Sequence, residues 1–358
     1  MSTSVQQYTN NPRSGTLGRL EGLAWEQDLE PLAVRLGRVF DLVAGEMAEL
    51  DADLTAIRPD DGPVQKSAVH LLDLAGKRLR PLCVALAARA SGEAPDGVKD
   101  IAVAVELIHS ATLLHDDVVD LGDARRGEPT ARLVYGNAAS IFAGDWLLIE
   151  AIRRVRRGAR TRPDVLDAML DAIDRMIGAE SVQLEGRGRL VCDRDTYLAV
   201  VRGKTAALFA WALYAGGRVG GLPEAACKAL EAYGSHLGVA FQVVDDILDL
   251  RGDEGTLGKG LHADLREGKA TFPLIAALEA RPSLRPAVES LSREDADLPD
   301  GFCDKVVASI ADAGGFDAAE AFARAETDAA LTALNAVPDG PAKSALATLC
   351  EAVLRRAH

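Results

Sequence analysis

Aromatic residues are scarce in this chain. Phe, Trp and Tyr make up 4% of its 358 residues, while Ala and Leu recur throughout. That balance favours helices packed on helices. Basic charge is in deficit as well: 40 Lys and Arg stand against 54 Asp and Glu, a formal net charge of −14. The overall basic footprint of a nucleic-acid binder is missing, so an anionic substrate has to be attracted locally, by clustered Lys and Arg or by bound metal. Cysteine is sparse and unpatterned. Cys83, Cys192, Cys227, Cys303 and Cys350 form no CxxC pair and read as reduced thiols of a cytosolic protein. Long apolar runs are lacking too. The longest uncharged stretch, TAALFAWALYAGG, is too short and too Gly-rich to span a bilayer, and the opening MSTSVQQYTNNPRSG has no apolar signal core. What these absences leave is a soluble, cytoplasmic protein. Its 48% hydrophobic content suffices for a sizeable core, in one large domain or two ordinary ones.

What is present is helical periodicity. Residues 1–25 read as a disordered arm, with one folded domain over 26–358. Leu32, Leu36, Val39, Val43, Met47 and Leu50 recur at steps of three and four, one apolar helix face. Similar patterns predict helices near 66–74, 78–91, 97–120, 138–157, 164–184, 195–215, 223–250, 270–280, 301–313, 316–335 and 341–356. No alternating strand pattern stands out, and the polar, Pro-containing 281–300 reads as a loop. The expected class is all-α.

Two of these runs end in the same signature. LLHDDVVD closes one with Asp116, Asp117 and Asp120, and FQVVDDILD closes another with Asp245, Asp246 and Asp249. Residues at i and i+4 share a helix face, so Asp116 pairs with Asp120 and Asp245 with Asp249. Like charges in that relation destabilise a helix, and partly buried carboxylates cost more unless something cationic meets them. Two such pairs facing each other across a bundle would make an oxygen-lined site for a hard divalent cation. Mg2+ suits it, because it binds through one or two carboxylates and completes its shell with water and substrate phosphate.

The basic residues cluster beside these aspartates. AGKRLRP places Lys77, Arg78 and Arg80 at a helix start, where backbone N–H groups and cationic side chains form an anion site. DARRGEPT supplies Arg125 and Arg126 on a Gly-flanked loop, GKTAALF supplies Lys204 and Thr205, and TLGKGLHADLREGKATFP supplies Lys259 and Lys269. Each alone would be an ordinary solvated charge run. Together they concentrate positive charge where a metal-bound diphosphate would sit. His109 lies two helical turns before Asp116, on the same face. His115, adjacent to Asp116, reads as a core or supporting residue. The HDD triplet also occurs in His-Asp metal phosphohydrolases, but their chemistry needs further His ligands, and the six His here form no such cluster.

From about residue 30 to the C-terminus the chain resembles the trans-isoprenyl diphosphate synthases, or polyprenyl synthetases. The resemblance rests on GKRLRP, ELIHSATLLHDDVVD, ARRGEPT, FAGDWLL, GKTAALF, FQVVDDILD and DLREGKATFPL, in the family's order and spacing. Ala75 stands where the family usually has a second Gly, and GAESVQL (178–184) departs from the usual GE. The resemblance implies a helical bundle around an apolar cavity, assembled as a homodimer. It implies head-to-tail condensation of isopentenyl diphosphate with an allylic diphosphate, dependent on a trinuclear Mg2+ cluster for which Mn2+ can substitute. By motif, Asp116, Asp120 and Asp245 bind metal, with Asp117, Asp246 and Asp249 as further or water-mediated ligands. Lys77, Arg80, His109 and Arg126 hold isopentenyl diphosphate. Arg125, Lys204, Thr205, Gln242 and Lys259 hold the allylic diphosphate.

Product length is read from Ala111 and Thr112, five and four residues before Asp116. Bulky aromatics there form a floor in short-chain members of the family, whereas both residues here are small. A tail could pass them towards Ile108 or Ala104, so a medium- or long-chain product is expected, with geranylgeranyl diphosphate as the alternative. A class I terpene cyclase would not need GKRLRP for a second diphosphate. A non-catalytic subunit is expected to have lost part of one aspartate cluster, and both are complete.

Overall fold

The Ala- and Leu-rich periodic segments form helices in the order expected. The computed structural model describes residues 29–57, 61–74, 76, 78–92, 94–125, 127–186, 193–251, 269–289 and 301–356, and the isolated positions Gly18, Glu21, Gly22, Ala24, Trp25 and Leu265. Most of the expected N-terminal arm lies outside the described residues; the five described positions from Gly18 to Trp25 are helical, and Ala24 is buried. The helices are α1 (Glu30–Ala56), α2 (Pro63–Asp73), α3 (Leu79–Arg89), α4 (Gly97–Val119), α5 (Ala131–Tyr135), α6 (Asn137–Gly158), α7 (Pro163–Glu185), α8 (Arg194–Val201), α9 (Ala207–Gly220), α10 (Glu224–Arg251), α11 (Phe272–Ala280), α12 (Arg285–Val288), α13 (Phe302–Asp312), α14 (Gly315–Ala333) and α15 (Pro341–Arg355). The only strands among the described residues are β1 (Ala124–Arg125) and β2 (Glu128–Pro129), an antiparallel pair in which Arg125 faces Glu128. The all-α reading is borne out.

The chain forms two compact units. The first comprises residues up to Ala168, Trp211–Glu231 and Leu334–Ala352; the second comprises Met169–Ala210, Ala232–Ala333 and Val353–His358. In the first unit α4 is the central element. Every residue from Ile101 to Ile108 is buried, so it is covered on all sides, as the all-round apolar character of IAVAVELI predicts. Helix α6 packs along it in the opposite direction. Ser140 Oγ donates to the carbonyl of Leu114 near one end, while Arg157 pairs with Asp100 near the other. Gly144 allows the close approach: a Cβ there would lie 2.2 Å from His115 Nε2. This is a packing reason for the Gly in FAGDWLL.

In the second unit α8 runs into α9 through a five-residue π-helical segment, Arg202–Ala206. Glycines on both sides let neighbours close onto it, since a Cβ at Gly203 or Gly238 would fall 2.7 Å from Ala179 Cβ or 2.6 Å from Ala206 Cα. Val201, Ala206 and Val239 form a core against Tyr197, Leu198 and Phe322. Phe272 stacks on Phe322 at 4.6 Å, and Tyr197 meets its edge at 5.6 Å. The continuous run Arg194–Gly220 is apolar and long enough to cross a membrane, but 78% of its apolar window is buried inside the protein, the mark of a core helix.

Candidate active site

In the first unit the aspartates occupy the last turn of α4. Asp120 caps the helix, its N–H donating to the carbonyl of Asp116 at 2.7 Å. Leu121 then takes a left-handed φ of 55° and ends the helix. Asp116 is half-buried and Asp120 exposed, while Asp117 is 3% exposed. The Asp117 carboxylate is held by Arg125 of β1, whose Nε and Nη2 donate to Oδ1 at 3.0 and 2.7 Å. The hairpin is tied down in turn: Thr130 Oγ1 donates to the Gly122 carbonyl at 2.7 Å, and His70 Nε2 lies 2.8 Å from the Pro129 carbonyl oxygen.

Upstream on the same face lie His109, Thr112 and Leu113, all half-buried. Thr112 Oγ1 donates to the His109 carbonyl at 2.8 Å. Ala111 is fully buried, so Thr112, and not Ala111, shares the accessible face of Asp116. His115 turns towards α6, with Nε2 3.1 Å from the Ile141 carbonyl oxygen and 3.5 Å from Asp145 Oδ1, which agrees with a supporting role. Arg80 sits in the first turn of α3. The residue before that helix, Arg78, adopts a left-handed φ of 48° and pairs with Glu106, a buried acid of α4. Arg78 is a clamp on the basic loop that sequence reasoning left without a role. Lys77 and Arg126 lie outside the described residues.

In the second unit Asp245 and Asp249 occupy one face near the end of α10. Asp246 is 3% exposed and accepts three hydrogen bonds: from Tyr197 Oη at 2.7 Å, from the Phe272 N–H at 2.9 Å and from Gln242 Nε2 at 3.0 Å. Gln242 Oε1 accepts from Thr205 Oγ1 at 2.9 Å. Two expected diphosphate ligands, Thr205 and Gln242, thus bond to each other, and Gln242 ties the pair to the buried Asp246 carboxylate. Lys204 projects from the π segment, a distortion frequent at functional sites, and meets Glu180 at 2.6 Å and Gln183 at 3.0 Å. Both partners come from GAESVQL, the motif noted for its unusual form. Asp245 pairs with Arg356 at 2.8 Å, an arginine that also lies over the Phe241 ring. Nothing in the C-terminal LRRAH had marked Arg356. Lys259 lies outside the described residues.

The six aspartates were all counted as metal ligands, but in each cluster the second, Asp117 or Asp246, is engaged by protein donors. The other four are carboxylates of the kind a hard cation binds, with Asp245 paired to Arg356 and Asp249 buried. They offer carboxylate oxygens at helix C-termini, where the helix dipole favours positive charge. Among the described residues no three His, Cys, Asp or Glu side chains converge on one point; Mg2+ needs only one or two carboxylates and takes its remaining ligands from water and phosphate.

Comparison with known proteins agrees. Residues 62–306 match the family model Polyprenyl synthetase. The chain is 33% identical to the octaprenyl diphosphate synthase of Escherichia coli (strain K12), over 90% of this chain and 99% of that one. Its fold superposes with TM-score 0.83 on a polyprenyl synthase from Caulobacter crescentus CB15 complexed with calcium and isoprenyl diphosphate, at 35% identity over 89% and 97% of the two chains. A decaprenyl diphosphate synthase from Rhodobacter capsulatus gives TM-score 0.82 at 36% identity over 90% and 99%. Both aspartate clusters fall inside the matched region, and the chain belongs to the polyprenyl synthetase family, as a trans-prenyltransferase.

Proposed function

We propose that this enzyme adds several isopentenyl diphosphate units to an allylic diphosphate and releases a polyprenyl diphosphate longer than geranylgeranyl diphosphate. The observation that carries this reading is the small pair Ala111 and Thr112 beneath Asp116, together with octaprenyl and decaprenyl synthases among its relatives. Lys204, Thr205, Gln242, Arg125 and Lys259 hold the allylic diphosphate. Lys77, Arg80, His109 and Arg126 hold isopentenyl diphosphate. Asp116, Asp120, Asp245 and Asp249 face the metal, while Asp117 and Asp246 position Arg125 and Gln242.

Divalent metal, when bound, neutralises charge on the allylic diphosphate as it departs. The chain's own cations do the same through Lys204 and Arg125, preorganised donors aimed at developing negative charge. The apolar interior keeps water from the allylic cation. The isopentenyl double bond then attacks, and the departing diphosphate takes the proton lost. Large apolar residues exposed on α5 and α6, namely Leu133, Val134, Ile141, Phe142 and Ile149, support assembly with a second copy. Sedimentation equilibrium should return twice the 37.8 kDa chain mass; a monomer at micromolar concentration would refute the assembly.

Ala111→Phe tests product length. Filling this buried site is costlier for a long guest than for a short one, so the first condensation should persist while products shorten towards farnesyl or geranylgeranyl diphosphate. Chromatography of dephosphorylated products decides. A wild type that stops at geranylgeranyl diphosphate, or a long product unchanged by Ala111→Phe, refutes the assignment of this helix to the tail.

A further inference from the structure

The strongest local departure from the chain's acidic character lies in the first unit, at the C-terminal end of α6 and the turn that follows. The segment RRVRRGARTR spans residues 153–162 and holds six arginines. Arg154 is structural: its side chain is 12% exposed and pairs with Asp53, Asp100 and Glu150. Arg157 also pairs with Asp100 but is 58% exposed, and Arg153 lies 3.7 Å from Glu150 while 64% exposed. Arg156, Arg160 and Arg162 are exposed. No hydrogen bond or ion pair among the described residues engages their side chains. The next acid, Asp164, does not neutralise them. It is bound by Arg218 at 2.6 Å and by Tyr214 Oη at 2.9 Å, and Arg218 holds its carboxyl below the usual range.

The location of these arginines gives them a meaning. Because α6 is antiparallel to α4, they sit beside Asp100 and not beside Asp116. Sixteen residues of helix separate those two aspartates, about 24 Å at 1.5 Å per residue. A tail growing from Asp116 back along α4, on the face of Thr112 and His109, points towards this end. We propose that the arginine face seats this end of the enzyme on an anionic phospholipid bilayer, so that the long apolar product passes into lipid.

The inference rests on the elongation reading above. A bilayer suits the page better than a nucleic acid: the segment has no aromatic residue for base stacking, and the net charge of −14 repels an extended polyanion beyond the patch. A planar surface meets only the patch, within the screening length of about 8 Å at physiological salt. Each arginine near an anionic leaflet favours binding by roughly fivefold.

Co-sedimentation of the full chain with vesicles tests this without substrate. Binding to phosphatidylcholine vesicles containing phosphatidylglycerol should exceed binding to pure phosphatidylcholine by about tenfold or more, and should fade as salt is raised. The combined variant R153E/R156E/R160E/R162E spares the paired Arg154 and Arg157. It should lose that binding while keeping wild-type circular dichroism and turnover in detergent. Indifference of the wild type to lipid charge overturns the proposal, as does undiminished binding by the variant, or capture of a single-stranded oligonucleotide in place of vesicles. Such a failure leaves the condensation reading standing, since product chromatography tests that separately.

Discussion

The two aspartate clusters read alike in sequence and are built differently. At the end of α4 the buried second carboxylate, Asp117, is matched by a cation only eight residues away, Arg125 of the short hairpin. At the end of α10 its counterpart, Asp246, meets three neutral donors. Two of them, Tyr197 Oη and the Phe272 N–H, come from 49 and 26 residues away. The first arrangement is local and charge-compensated. The second is assembled by tertiary packing around the Tyr197–Phe272–Phe322 aromatic cluster. The lesson is that a DDxxD pattern names a helix face and a charge, while its neighbours decide which carboxylates remain for metal. In both clusters the buried middle aspartate is held by protein donors; in the second, Asp249 is buried too and Asp245 is paired with Arg356.

The largest effects should fall on the flanking aspartates and be alike in the two clusters. Asp116→Ala and Asp245→Ala should each lower turnover by roughly a hundredfold or more, the scale of losing a transition-state charge stabiliser. Helical circular dichroism should be unchanged, because removing like-charge repulsion at i, i+4 does not disfavour the helix. EDTA should abolish activity in the wild type. Near-normal turnover in one mutant alone would break the symmetry between the clusters.

The second aspartates should differ, and double-mutant cycles measure how. Asp117→Asn removes a charge-assisted bidentate pair, so its cycle with Arg125→Gln should show a coupling of about 2–3 kcal/mol in stability. The cycle of Asp246→Asn with Tyr197→Phe should give only about 1 kcal/mol, the worth of one hydrogen bond from a neutral donor. Both single mutants should raise the Michaelis constant for the allylic substrate more than that for isopentenyl diphosphate, since Arg125 in the first unit, or Gln242 with Thr205 in the second, loses its orientation. Equal couplings would mean that the two carboxylates are held in the same way.

This difference also marks the limit of what the sequence could disclose. Helix periodicity carried the fold because an apolar face at steps of three and four is a local property. Leu32, Leu36, Val39, Val43 and Leu50, expected on one face of α1, are all buried. Candidate site residues could be named wherever they stand in short motifs, such as the Lys204–Thr205 pair. The Asp117–Arg125 pair was within reach, since its members are eight residues apart in a matched motif. The Asp246 network was not, because Tyr197 carries no motif and the Phe272 donor is a backbone group. The π segment beneath Lys204 was equally hidden, as was the close approach of Ala179 and Ala206 to Gly203 and Gly238, which only the packed chain reveals. Arg78 was visible as a charge, but its left-handed turn towards the buried Glu106 was not.

The smallest expected effect concerns the cation already present in the second cluster. Arg356 lies 2.8 Å from Asp245, with its side chain 12% exposed and its guanidinium over Phe241. In the first cluster a guanidinium, that of Arg125, lies 2.7 Å from the buried middle aspartate Asp117. A cation that occupies Asp245 competes with any metal for the same carboxylate. Its removal should therefore tighten metal binding at the second cluster. Arg356→Ala should lower the Mn2+ concentration for half-saturation, followed directly by titration calorimetry without substrate, by about two- to fivefold, or roughly 0.4–1 kcal/mol. The modest size follows from the position of the pair, which is neither fully buried nor fully solvated, so attraction and desolvation nearly offset each other. Arg356→Lys should restore most of the wild-type value, because a cation remains within reach. If Arg356→Ala instead weakens Mn2+ binding, then Arg356 orients Asp245 for the metal and does not compete with it.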